Sequence, residues 1–150
     1  MYFIKKSFVT NIEDVRHLFD EYEEECKIST LPSINPDVEN IKRLEDFGMC
    51  NTIFVYERLW DKPIGFGMVV ITPLLKYSIK TAITEAIFIS KEHRKGIAGL
   101  RLIKELEKLA KDMGASHYFI SAPSDSQFNR VLQKTKGYDK ASQSYVKALR

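Results

Sequence analysis

Cysteine and histidine are scarce in this 150-residue chain, and their scarcity limits the chemistry available. Cys26 and Cys50 have no metal-like spacing and no histidine cluster beside them, and His17, His93 and His117 are scattered. No metal site is expected, and the two cysteines read as plain thiols in or near the core. Long apolar runs are missing, so nothing reads as a membrane span. Met1 to Lys6 lacks the charged-then-apolar order of a signal peptide. A cytoplasmic protein is expected. Excess charge is also small. A net charge of +3, without a long basic stripe interleaved with aromatics, argues against nucleic acid while suiting a small anionic ligand. The phosphate-binding pattern Gly-x-x-x-x-Gly-Lys-Ser/Thr is absent, which excludes a P-loop hydrolase.

What is present is a globular composition, 44% apolar and 29% charged, in a chain long enough for one real core and too short for two. The expectation is a single domain over residues 1–150, with no repeat, low-complexity tract or linker. Tyr2 to Phe8 alternates as a first strand. Thr10-Asn11-Ile12-Glu13 reads as a capping box, and Ile12, Val15, Leu18/Phe19, Tyr22 and Cys26 mark one helical face after it. A loop over Leu31 to Pro36 precedes a short second helix, with Asn35 as N-cap, Pro36 in its first turn and Gly48 beyond its end.

Thr52 to Glu57 and Ile64 to Ile71 form a hairpin across a polar, proline-containing loop, in which Gly65 and Gly67 mark a bulge or close packing. Lys80 to Ile89 is a further strand. A long helix follows, with Leu102, Ile103, Leu106, Leu109, Ala110 and Met113 on one face and Gly114 at its end. His117 to Ala122 is a short strand, Ser126 caps a helix through Lys134, Gly137-Tyr138 stops it, and Gln143 to Leu149 is a terminal strand.

The most informative stretch is Glu85 to Ile103, where an apolar strand enters a basic, glycine-containing turn and then the long helix. A helix's first turn has backbone N–H groups without intrahelical partners and carries the positive end of its dipole, so it suits a phosphate. Gly96, Ala98 and Gly99 keep side-chain bulk away from that approach, and Arg94 and Lys95 add charge. An ordinary strand-to-helix turn is the alternative.

These residues resemble the GNAT superfamily of N-acetyltransferases, whose pyrophosphate loop reads Arg/Gln-x-x-Gly-x-Gly/Ala. One register places Arg94 on the family arginine, Gly99 on the last motif position and Leu102-Ile103 on the apolar pair that follows, with Ile97 at the middle glycine. The other keeps Gly96 and Ala98 on the small positions, but puts His93 in the arginine slot and Arg101 on an apolar helix position. The first is preferred, and in either case Arg94 to Gly99 is the loop.

The resemblance implies an α/β (α+β) fold in the order β-α-α-β-β-β-α-β-α-β. Its mixed, mostly antiparallel sheet would splay around an acetyl-CoA site between the strand before the loop and the strand after the long helix. It also implies cofactor contacts from Ile87, Phe88 and Ile89 through their backbone, from Arg94, Lys95, Gly96, Ile97, Ala98, Gly99 and Leu100, and from Ser126 or Asn129. Glu85 becomes the candidate base, its carboxyl raised in pKa if apolar walls surround it, although a strand glutamate is equally a surface residue.

Two positions depart from the family pattern. Gln133 stands where a tyrosine often protonates the leaving thiolate, and Ser126 stands where an asparagine often contacts the cofactor. That leaves the acid unassigned, with Tyr138 and Tyr145 more simply read as packing residues. Tyr22 and Glu23 are candidates for contacting the amine, with an exposed acidic turn at Glu23-Glu24-Glu25 as the bland alternative.

The implied function is acetyl transfer from acetyl-CoA to a small-molecule or peptide amine by direct attack, since neither cysteine has a basic neighbour in sequence that would activate it. A non-catalytic acyl-CoA-binding or protein-interaction module on the same fold is the alternative. Oligomeric state stays open. Terminal strands in this fold often pair between subunits, which makes a homodimer one expectation.

Overall fold

The computed structural model describes residues 1–94 and 96–150, so the expectation for Lys95 lies outside the described residues. Five strands, β1 (Tyr2–Lys6), β2 (Cys50–Tyr56), β3 (Gly65–Leu74), β4 (Ile79–Ile89) and β5 (His117–Phe119), lie in one sheet in that order. The first three neighbouring pairs are antiparallel, and β4 with β5 is parallel. Helices α1 (Ile12–Val15), α2 (Phe19–Glu25) and α3 (Val38–Asp46) precede β2, while α4 (Ala98–Asp112) joins β4 to β5 and α5 (Gln127–Lys134) follows it.

The sheet is covered on both faces, so its strands are apolar on both sides. Ala98, Leu102, Leu106, Leu109 and Ala110 of α4 pack on one face against Ile53, Val55, Val69, Ile71 and Ala82. On the other, Ile12, Val15 and Leu18 pack with Phe8, Phe54, Phe66, Met68 and Phe88. The 3.6-residue spacing along α4 is what makes this possible, because it puts Leu102, Leu106 and Leu109 on the sheet side and leaves only Leu100 of the large apolar residues exposed. Gly67 lets α4 approach: a Cβ there would lie 2.7 Å from Leu106 Cδ1. A Cβ on Gly65 would run into the Phe88 carbonyl. Both glycines therefore serve close packing, and the bulge lies elsewhere, in β4.

Several local expectations are corrected. The Thr10 capping box does not form: Asn11 is the N-cap without a side-chain cap bond, its amide group donates to the Ser7 carbonyl, and Glu13 pairs with Arg16 instead. The first helical segment is also broken, with a 3₁₀ turn over Arg16–Leu18 separating α1 from α2. Helix α3 is capped by Asp37 rather than Asn35, because the Asp37 carboxylate accepts from both the Asn40 N–H and its side-chain amide; Pro36 therefore precedes the helix. Cys50 is buried, but Cys26 at the end of α2 is exposed.

The expected terminal strand, Gln143 to Leu149, is not one. All residues from Asp139 onward are exposed and form no regular element. A strand needs a ladder to join, and the neighbouring edge strand β5 is only three residues long. The order thus ends in α5 and an extended tail.

Candidate functional site

Strand β4 is eleven residues long, yet only Thr81, Ala82 and Ile83 pair with β5, at His117, Tyr118 and Phe119. Beyond Ile83 the two parallel strands diverge. The Thr84 and Tyr118 hydroxyls share a hydrogen bond of 2.5 Å where they part, and Thr84 also donates to the Phe119 carbonyl. Residues 84–89 of β4 thus have no strand partner on that edge, and this unpaired edge, the candidate cleft, leads towards the N-terminus of α4.

Opposite β3, the register steps from Val69↔Thr84 to Met68↔Ala86, so Glu85 is the extra residue of a β-bulge. The bulge changes which face each later side chain takes. Ala82 packs under α4, but after the bulge Ile87 and Ile89 do so, while Ala86 and Phe88 turn to the α1–α3 face. Glu85 is exposed rather than walled by apolar groups. Its carboxylate lies near enough to act on Tyr22 of α2 and Cys50 of β2, which places it on the α2 side of the cleft. Cys50 is fully buried and burial pushes its thiol up to about 12, with Glu45 and Glu85 adding to the effect, so it is not a nucleophile.

Between β4 and α4 the chain makes a short 3₁₀ turn, Lys91–His93, and Gly96 takes a left-handed φ of +77°. Among the described residues, the backbone ladder of α4 begins with the Arg101 N–H donating to the Ile97 carbonyl, after the amides of Ala98, Gly99 and Leu100. Ile97 is the N-cap and has no side-chain cap bond. At Gly96 and Gly99 a Cβ would meet nothing within 4 Å, so the approach to these amides is open. The helix buries Ala98, Leu102 and Ile103 and leaves Arg101 outside, over the Phe3 ring. This helical phase goes with the register that sets Leu102-Ile103 on the apolar pair, whereas the left-handed turn falls on the glycine kept by the other. The donor set and open backbone fit a diphosphate.

Arg94 is occupied within the protein. Its Nε donates to the Ile89 carbonyl at 2.6 Å, one terminal nitrogen donates to Glu25 at 2.6 Å, and its guanidinium lies over the Phe88 ring at 5.1 Å. One helical turn earlier, the Glu21 carboxylate accepts from Ser90 Oγ and from the Lys91 N–H at 3.0 and 2.6 Å. Helix α2 is therefore latched to the loop by two carboxylates. The sequence reading missed this pair, although Glu21 and Glu25 are four residues apart and so share a helix face. Trp60 in the β2–β3 loop stacks edge-on against His93, ring centres 4.9 Å apart.

Tyr22 is wedged between Phe66 and Phe88, with ring centres 5.9 and 5.1 Å away. Burial pushes its phenol up to about 12, Cys26 and Glu85 add to this, and the Ile87 main chain beside its oxygen opposes it. Glu23 turns the other way and accepts from the Ile34 N–H, tying α2 to the loop before α3.

The residues after β5 are engaged locally. Ser126 caps α5, accepting from the Asn129 N–H at 3.0 Å and donating to the Pro123 carbonyl, while the Asn129 amide donates to the Ser124 carbonyl. Gln133 is exposed. Tyr138 donates to Glu107 of α4, and burial with that hydrogen bond raises its pKa. Tyr145 lies in the exposed tail. Among the described residues no group of three or more His, Cys, Asp or Glu is gathered as for a metal, and no helix is long and apolar enough to cross a membrane. A hollow of about 470 Å³ lined by Ile71, Pro73, Leu74 and Ile79 lies at the opposite end of β4 from the loop, away from this chemistry.

Comparison with known proteins bears on the family and the fold. The family model described as the acetyltransferase (GNAT) family matches residues 12–138. No curated protein matches the chain by sequence. Among solved structures, the chain is similar to the ribosomal-protein-alanine N-acetyltransferase of Brucella melitensis biovar Abortus 2308, with TM-score 0.70, 15% identity and 99% and 100% of the two chains covered. It is also similar to the glucosamine-6-phosphate N-acetyltransferase of Arabidopsis thaliana, with TM-score 0.67, 18% identity and all of both chains covered. An aminoglycoside N-acetyltransferase solved in complex with CoA aligns with TM-score 0.71 and 12% identity over 99% of each chain.

Proposed function

Because the chain belongs to the GNAT acetyltransferase family, we propose that residues 1–150 act as one acetyl-CoA-dependent N-acetyltransferase domain in the cytoplasm, acylating a small-molecule or peptide amine. The observation that carries this reading is the unpaired half of β4 leading into the open amides of α4. Those amides, from Gly96 to Leu100, would hold the diphosphate. The backbone of Ile87 to Ile89 would hold the pantetheine arm and the thioester, the group that supplies an activated acyl carbon.

The amine nitrogen attacks the thioester carbon in a ternary complex. As the new C–N bond forms, the carbonyl oxygen gains charge. The C–S bond then breaks and its electron pair leaves on sulfur. Glu85 takes the proton that the amine loses, directly or through water, which its exposed place on the bulge allows. The buried, protonated Cys50 argues against an acyl-enzyme.

The test is release of CoA thiol from acetyl-CoA in the presence of polyamines, aminoglycosides, amino acids and peptides. Turnover with at least one amine, lowered about 10²-fold or more in Glu85→Gln, is expected. Tight CoA binding without turnover across the panel would instead support a non-catalytic acyl-CoA-binding module, a reading that the exposed Gln133 in place of an acid keeps in view.

A further inference from the structure

The proposed transfer develops charge on the thioester oxygen, and one phenol is placed to share in holding it. Tyr22 is fixed by its ring: Phe66 meets it edge-on at 5.9 Å and Phe88 lies tilted against it at 5.1 Å. The Ile87 main chain lies beside its oxygen, and the Glu85 carboxylate is near enough to act on it. Ile87 follows the bulge on the half of β4 that β5 leaves unpaired. Two other phenols are already engaged, Tyr118 with Thr84 and Tyr138 with Glu107.

We propose, on the transfer reading above, that Tyr22 is a catalytic residue whose hydroxyl joins the Ile87 amide as the second donor to the thioester oxygen. A carbonyl oxygen that takes over the Ile87 N–H from the phenol oxygen comes to lie beside that phenol, whose proton then turns towards it. The aromatic walls of Phe66 and Phe88 keep that donor in a poorly hydrated place, where a hydrogen bond to developing charge is strongest. Tyr22 keeps its proton throughout, so it positions and stabilises while Glu85 moves the amine's proton. Its raised pKa, set mainly by burial, keeps the donor form present across the neutral range.

The decisive measurement is the infrared carbonyl stretch of isotope-labelled acetyl-CoA bound to the protein. Wild type is expected to lower that frequency relative to water, and Tyr22→Phe to lose much of the lowering while keeping its affinity for CoA. With whichever amine turns over, kcat of Tyr22→Phe should fall about 10²-fold with KM for acetyl-CoA unchanged. A fluorinated tyrosine at position 22, a stronger donor of nearly the same shape, should deepen the frequency shift even if the phenylalanine variant folds poorly. An unchanged shift in both variants, with acetyl-CoA still bound, overturns the role of Tyr22 and leaves the transfer reading standing. Failure of wild type to bind acetyl-CoA overturns both.

Discussion

Glu25 neutralises the cation that a bound diphosphate would use, and its removal should strengthen binding. The Glu25–Arg94 pair is 2.6 Å long, with side chains 34% and 39% exposed, so solvent discounts it to roughly 0.2–1 kcal/mol. In Glu25→Gln, Arg94 retains the Ile89 carbonyl and the Phe88 ring, and Glu21 retains Ser90 and Lys91. The loop therefore stays in place while one negative charge disappears. If that pair energy is returned to an anionic ligand, affinity for CoA rises by a factor between about 1.4 and about 5. Titration calorimetry at low ionic strength should show the gain, and added salt should shrink it. Glu24→Gln, at the exposed neighbour, controls for net charge alone. An affinity for CoA that falls in Glu25→Gln, or matches that of Glu24→Gln, would refute the reasoning.

Other perturbations test the framework around the site. Gly67→Ala should destabilise by about 1–3 kcal/mol, because its Cβ meets the fully buried Leu106; Leu106→Val in the same chain should recover part of that in thermal melts. Glu21→Ala leaves Ser90 Oγ and the Lys91 amide short of a partner, at a cost of about 1–3 kcal/mol, and should speed hydrogen exchange at Lys91. Alkaline pH should weaken the fold. Tyr22 and Tyr118 hold their protons to about 12 when folded, whereas the unfolded chain releases them near 10, so stability falls between those values. The loss is at most about 2–3 kcal/mol per tyrosine, and Tyr22→Phe should flatten the decline in chemical denaturation.

The sheet-facing stripe of α4 was legible because burial there depends on helical period alone. The bulge at Glu85 was not, since it exists only in the register between β3 and β4. Local capping signals were read correctly at Ser126 but not at Thr10 or Asn35, where Ser7 and Asp37 offered the backbone better partners. The loop's composition announced an anion site, but not that Arg94 would be engaged by a carboxylate 69 residues away. Such a pairing is made by the tertiary fold. The expected terminal strand failed for the same reason, because nothing within Gln143 to Leu149 says whether an adjacent edge is long enough to receive it.

The edge-on contact between Trp60 and His93 gives the protein an optical gauge of its own. Trp60 is the chain's one tryptophan, and His93 closes the turn that leads to Gly96. Any ligand that reshapes that turn will alter the indole's surroundings, so occupancy is readable as emission intensity from unlabelled protein. A change on adding CoA, followed through the substitutions above, would rank them in a cuvette before any acceptor is known.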